Sequence, residues 1–491
     1  MRTGISLLLA ALCLAAAPAL AGATPPVSVP VPAEPDALAF APGHVLWATH
    51  TLHGPVVLKQ APSMGGPATV LATIPRVHPA TGDVAVTIAA TAHGYMLTAR
   101  DGRLITTGEC GCDYDVSQGE LVVRGGYDGS VTNVVHCVPK PDDTEEPDLQ
   151  VVAGTDAYAL AGARCGTTAA VETIAADGAV APVSGITLVQ FSELSFAAPF
   201  VAVTGTAAGA PKMTSVHIFD TAHGTRRDLP YATTTSGGPF QVLSDGTLVL
   251  GSGGYAGVTT NIYVWSPGEA APHLLPGGLV KPAFGAAGAG RVMLSPGTPL
   301  GGQTGALGLI GLDGTGLRPV GAPGAGISRQ PLYLDATTAA FRSNSCAGRA
   351  QVTVVDLADT TPASAPFGCP VQIRSTAVKF DRQGRGSIQV LCPNGCRGAF
   401  QLYIALTPKQ ISTHELNRYV DKVLDSHLAD AKLTLAASPT PQRVRLKMVK
   451  PAIALMRRHR RLRVFPSVGY SGDIGVGPEL TSPVRSLTAR R

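Results

Sequence analysis

LAFAPGHVLWA from Leu38, VTIAATAHGYMLTA from Val86 and FQVLSDGTLVLG from Phe240 are copies of one phrase. Each is a short apolar run, a small or polar turn, and a second apolar run. Further copies are LQVVAGTDAYALAG from Leu149, LSFAAPFVAVTG from Leu194, AFGAAGAGRVML from Ala283 and LYLDATTAAFR from Leu332, which makes seven between residues 38 and 343. A repeat of about 45 residues that reads as strand throughout is the signature of a β-propeller with one blade per repeat. The expected fold is all-β: a seven-bladed β-propeller over 36–372.

The second half of each repeat supports this. VHIFDTAHGTRRDL from Val216, IYVWSPGEAAPHLL from Ile262, LGLIGLDGTGLRPV from Leu307 and VTVVDLADTTPASAPF from Val352 read as a third strand, a turn and a fourth strand. Asp177-Gly178, Pro267-Gly268 and Asp313-Gly314 supply the positive φ angles that tight hairpins need. Blades 1 and 7 each read as holding four strands, so no strand exchange is forced, and the manner of ring closure is left open by the sequence. In blade 2 the segment TTGECGCDYDVSQG, 106–119, lengthens the connection between second and third strands. It reads as a loop decorating one face, a usual place for partners of repeat arrays. The propeller is similar to secreted bacterial propellers of the TolB-like or WD40-like kind. That resemblance implies a scaffold that hosts binding proteins, lyases, lactonases and dehydrogenases alike.

A basic start at Met1-Arg2-Thr3, an apolar run from Ile5 to Ala17 and small residues to Ala23 describe a Sec-type signal peptide over 1–23. Cys13 follows Leu12 and not a small residue, which argues against a lipoprotein. A Pro-rich linker is expected over 24–35. No later stretch reaches the roughly 20 apolar residues a membrane helix needs. The chain is expected to be secreted or extracytoplasmic.

Of nine cysteines, eight follow Cys13, and an even number in an exported chain reads as disulfides. Blade geometry pairs Cys346 with Cys369, and Cys137 with either Cys110 or Cys112 as the same bridge in blade 2. The remaining member of that couple would meet Cys165, and Cys392 would close a small loop with Cys396. Cys-Gly-Cys-Asp with His136-Cys137 offers metal donors, but its spacing matches no zinc template.

From Arg374 to Arg491 there are 21 Lys+Arg against 7 Asp+Glu, a local +14, which leaves 17 against 26, or −9, for the rest. This part, 373–491, alternates as strands (STAVKF, SIQVLCPNGCRGAFQLYIAL, KLTLAAS, RVRLKMV, RLRVFPSVGY). One helix is expected, from a capping box at Ser412-Thr413-His414-Glu415 through Leu428. The expected fold is a small basic β-sandwich with that helix inserted. It resembles modules appended to exported actinobacterial proteins, in which a phrase like Cys392-Pro393-Asn394-Gly395-Cys396-Arg397-Gly398 recurs. Its densest charge, Arg457, Arg458, Arg460, Arg461 and Arg463 around His459, is either a solvated face or a contact for an anionic polymer. Nucleic acid is not expected of an exported chain without interleaved aromatics.

No Gly-x-Ser-x-Gly elbow, His-Glu-x-x-His helix, Walker loop or EF-hand loop is present. No catalytic, cofactor-binding or metal residue is therefore assigned. Glu193, Gln241 and Asp335 on or beside first strands read as turn or strand-end residues. His44 reads as turn and His50 and His53 as loop, while Trp47 and Trp265 read as packing. The expected function is a non-catalytic binding or scaffold protein of the cell envelope. Its propeller loops would hold a protein or envelope partner, and its basic module an anionic surface polymer. The alternative is a propeller-fold lyase or lactonase acting on a small molecule or glycan.

Overall fold

The computed structural model describes residues 26–81, 83–106, 113–137, 149–162, 170–188, 193–207, 215–229, 240–253, 259–275, 284–294, 307–321, 325–358, 369–404, 427–469, 479–480 and 487–490. Seven antiparallel sheets follow one another along the chain. Blades 1 to 6 span 37–74, 83–137, 150–183, 186–228, 240–274 and 284–320. Blade 7 is built on Ala325–Leu334, Thr338–Ser345 and Ala350–Asp356. Around the ring the innermost strand of each blade touches that of the next, and Ala325–Leu334 returns to Ala37–Ala41.

Middle strands are apolar on both faces because each blade is buried on both sides. In Tyr95–Thr106, Tyr95 and Leu97 pack toward blade 1 and Met96 toward blade 3. Seven separate cores result, one between each pair of neighbouring blades. Gly178, Gly268 and Gly314 hold φ of +94°, +86° and +78°, so the hairpin turns are formed as their Asp-Gly and Pro-Gly pairs require.

Closure uses a strand from outside the seven repeats, which the four strands read for blade 7 do not require. The outermost strand of blade 7 is Val27–Pro30, from the stretch read as a linker. Val27 lies opposite Val354 and Val29 opposite Val352, antiparallel. Val29 is fully buried in the core shared by blades 7 and 1, with Phe40, Trp47 and Val352.

Blade 2 departs from expectation too. Tyr95–Thr106 and Asp113–Gly125 stay paired out to Thr106 opposite Asp113, so the lengthened connection is largely a two-stranded arm. At its root lies a buried ion pair. Arg76 Nε donates to Asp101 Oδ1 at 2.5 Å, with side chains 0% and 2% exposed, and Asp101 Oδ2 accepts the His78 N–H at 2.6 Å. Arg76 also donates to the Leu52 carbonyl, tying blade 1 to blade 2.

The C-terminal part is a single nine-stranded sheet. Its order is Ala377–Lys379, Leu487–Arg490, Arg461–Gly469, Cys396–Ile404, His427–Leu435, Gln442–Met448, Arg385–Leu391, Pro370–Ile373 and Glu479–Leu480. Strands from both ends of this order share one core, Val378 with Val371 and Val390, so the sheet curls into a sandwich-like shell. Pro370–Ile373 belongs to this sheet, and the expected boundary at 372/373 falls inside that strand. The helix expected over 412–428 lies almost wholly outside the described residues; its last two positions, His427 and Leu428, begin a strand. Among the described residues a helix is found at Lys450–Arg458, with Pro in its first turn and Ala452, Leu455 and Met456 on its buried side.

Two outcomes test this architecture. Val29→Asp places a charge in the closing core and is expected to cost about 3–5 kcal/mol, read as a lowered urea midpoint. Arg76→Met strands the Asp101 carboxylate and is expected to cost about 3–5 kcal/mol, whereas Arg76→Met with Asp101→Leu recovers at least about half of it. Simple additivity in that cycle would show the pair to be uncoupled.

Candidate functional site

The arginine run is split by the fold into two elements that meet at one corner. Arg457 and Arg458 occupy the last helical turn, where positive charge is favoured by the helix dipole. After His459, whose N–H bonds Leu455 O at 2.9 Å, the chain enters Arg461–Gly469. There Leu462, Val464 and Pro466 point into the core and Arg461, Arg463 and Phe465 point outward. All five arginines, Arg457, Arg458, Arg460, Arg461 and Arg463, are exposed.

Sequence reading missed two members of this corner. Arg490 lies directly opposite Arg461, and Lys379 directly opposite Arg490, both exposed. Beside them, Phe465 (36% exposed) stacks on Tyr403 with ring centroids 5.7 Å apart. Strand alternation in AVK and LTAR gives the outward side of each residue. Their neighbourhood depends on a parallel pairing across more than a hundred residues, which no local pattern reveals. From Lys432 to Gly472 the sequence holds no Asp or Glu. A second basic strip, Arg443, Arg445 and Lys447 opposite Gln389, Ser387 and Arg385, is partly compensated. Asp381 pairs with Arg385 at 3.0 Å, and the Arg385 N–H is the leading cause holding the Asp381 carboxyl below its ordinary range. Asp430 lies opposite Lys447.

Cys346 and Cys369 are bonded, with Cα atoms 5.3 Å apart, as are Cys392 and Cys396 at 5.9 Å. Cys110, Cys112 and Cys165 lie outside the described residues; Cys137 ends the strand Val131–Cys137. The Cys346 bridge sits where the propeller meets the second sheet. There, a Cβ on Gly348 would come within 2.9 Å of Arg397 Cδ.

Two polar groups of the first strands join neighbouring blades. Gln241 Oε1 accepts the Ala287 N–H at 2.8 Å, and Ser195 Oγ accepts the Val242 N–H at 3.0 Å. Asp335 is a turn residue, accepting from Thr337 N, Thr338 N and the Tyr333 hydroxyl. Glu193 is half-buried, which raises its carboxyl pKa, and precedes the strand Leu194–Ala197. Among the described residues no group of three or more His, Cys, Asp and Glu converges. A cleft of about 330 Å³ beside Pro30, Trp47 and Lys59 and one of about 630 Å³ over blade 6 are open surface features. The arginines of the second cleft, Arg291 and Arg318, bond blade 7 carbonyls.

His44 and His50 are the two ends of one strand, His44–His50, and not turn and loop residues, so about 20 Å separates them and no ligand is shared. His53 Nδ1 meets the Pro79 carbonyl at 3.0 Å. Trp47 and Trp265 are buried as expected, Trp47 on a second strand and Trp265 on a third. His44 stacks on Tyr127 with centroids 3.5 Å apart, and burial lowers its pKa below 6.5 against a hydrogen bond with Gln60. The unfolded chain thus binds this proton more tightly. Stability gained from His44 is complete above about pH 6.5 and lost as pH falls toward the depressed folded value. His44→Gln is expected to flatten the pH dependence of the urea midpoint between about pH 5 and 7; an unchanged profile would remove His44 as its source.

No family model matches the chain, and no curated protein matches it. Solved structures similar to it include a puromycin-hydrolyzing peptidase from Mycobacterium tuberculosis (16% identity, TM-score 0.41, covering 75% of this chain and 58% of that one). Others are a putative TolB from Agrobacterium tumefaciens (11%, TM-score 0.31, 59% and 94%) and an oligogalacturonate lyase from Vibrio parahaemolyticus (8%, TM-score 0.38, 66% and 92%). The chain spans a little over half the length of a puromycin hydrolase, at 58% of it, and of the M. tuberculosis peptidase. The likeness is one of fold alone.

Proposed function

We propose that this is an exported, non-catalytic binding or scaffold protein of the cell envelope. Its propeller presents loops to a partner, and its C-terminal sheet rests on an anionic surface polymer. The observation that carries this reading is the basic corner. Five arginines stand exposed on the helix end and the adjoining strand, in a stretch of sequence free of carboxylates. Guanidinium groups in such a place offer forked donors to phosphate or carboxylate. The signal-like start and the two disulfides support an oxidising, extracytoplasmic setting. For the alternative, a lyase or lactonase, the support is thinner, since Gln241 and Ser195 on the inner strands already serve neighbouring blades.

The test uses the full chain, sedimented with isolated cell walls and with vesicles containing phosphatidylglycerol, in low and high salt. Binding at low salt, released by salt, is expected. At about 1 kcal/mol per basic residue, Arg457→Glu with Arg460→Glu and Arg463→Glu should weaken it by at least about 100-fold. Failure of the unaltered protein to bind either target at low salt would leave the arginines as a solvated face.

A further inference from the structure

We infer that the outer face formed by Ala377–Lys379, Leu487–Arg490 and Arg461–Gly469 is a binding site for a linear phosphate polymer, with Lys379, Arg490 and Arg461 as its centre. The inference rests on the reading above that this module contacts an anionic surface, and it names residues and a ligand class that the reading does not.

Lys379, Arg490 and Arg461 are direct partners on three adjacent strands, so their side chains leave the same face in a line. Neighbouring strands are about 4.8 Å apart, and like charges placed directly opposite repel. In the second basic strip, where Arg385 and Lys447 also lie opposite each other, Arg385 pairs with Asp381 and Lys447 has Asp430 on its other side. None of these three has a carboxylate within ion-pair reach among the described residues. A row of cations in enforced register, with no ion pair among the described residues, is a poor choice for stability and a good one for an incoming anion.

The arrangement extends in two directions. Arg463 stands two residues along the strand from Arg461, a step of about 7 Å, opposite Thr488. A single small anion reaches one or two of these groups, whereas a polymer bearing phosphates at intervals reaches both rows. Phosphate is favoured over carboxylate because two guanidinium groups on adjacent strands can share its tetrahedral oxygens. A bilayer is the poorer occupant. Membrane-facing surfaces bury aliphatic or large aromatic side chains, and the outward positions of these strands carry no Leu, Ile, Met or Trp, only the half-covered Phe465.

The decisive comparison sets Lys379→Gln/Arg490→Gln against Arg443→Gln/Arg445→Gln, which alters the second basic strip, both in the full chain. Binding to inorganic polyphosphate, polyaspartate and phosphatidylglycerol vesicles is titrated over a range of salt. The first variant should lose at least about 10-fold in polyphosphate affinity and about one to two from the slope of log K against log salt. The second should change neither. The first should also melt higher than the unaltered protein when no ligand is present, because a like-charge contact is gone. Equal losses in the two variants would overturn the site, as would polyaspartate binding as tightly as polyphosphate. Vesicle binding without polyphosphate binding would overturn the polymer and leave the anionic-surface reading standing. No binding of any probe by the unaltered protein would remove both.

Discussion

Everything in the propeller depends on four residues pairing with a strand more than 300 positions away. Val27–Pro30 supplies the last strand of the last blade, and it is the backbone ladder that joins the start of the ring to its end. The seven inter-blade cores are otherwise assembled in sequence, each between neighbours along the chain. The core between blades 7 and 1 has no such local route, and an open ring would present the third strand of blade 7 as an unpaired edge. The entropy of closing so long a loop grows only logarithmically with length. Once six interfaces are packed the ends already lie close, and the closing strand has mainly to add Val29 to its core.

The physical reasons that made parts of the fold legible also explain what stayed hidden. Blade repeats were readable because YMLT or HVLW is buried on both faces and so becomes an unbroken apolar run. The Cys346–Cys369 bridge was readable because the repeat places both cysteines on one face of blade 7. The closing strand was not, since VSVP lies among Pro25, Pro26, Pro30, Pro32 and Pro35, and prolines argue against a strand. An outermost strand needs donors on one side only, so it tolerates them. The arm of blade 2 was hidden by its polar, glycine-containing composition. Helix Lys450–Arg458 was overlooked because its nine residues lie between two plainly alternating strands, although Pro451 and the spacing of Ala452, Leu455 and Met456 announce it.

The site divides in the same way. A run of five arginines is visible as charge in any reading of the sequence. That Lys379 and Arg490 join it follows from sheet order, and the parallel contact between their strands is set by the curl of the whole sheet around the core of Val371, Val378 and Phe400. Outward direction could be read from alternation, but proximity could not.

Arginine is used in two opposed ways in this chain, and the contrast bears on what each part can do. In the propeller several guanidinium groups donate to backbone carbonyls of the next blade: Arg124 to Ala176, Arg227 to Ser266, Arg318 to Leu357. Arg227 also lies 4.5 Å from the Trp265 ring centroid. These charges are bound up in holding the ring together and are poorly placed to meet a ligand. In the C-terminal sheet the hydrophobic core is complete without them, because the alternation that buries Leu462, Val464 and Ala489 sends every arginine of those strands outward. Packing there asks nothing of the basic side chains, and the row at Lys379, Arg490 and Arg461 sets like charges directly opposite one another. A feature that the fold does not need, and that it disfavours, is best explained by what it meets.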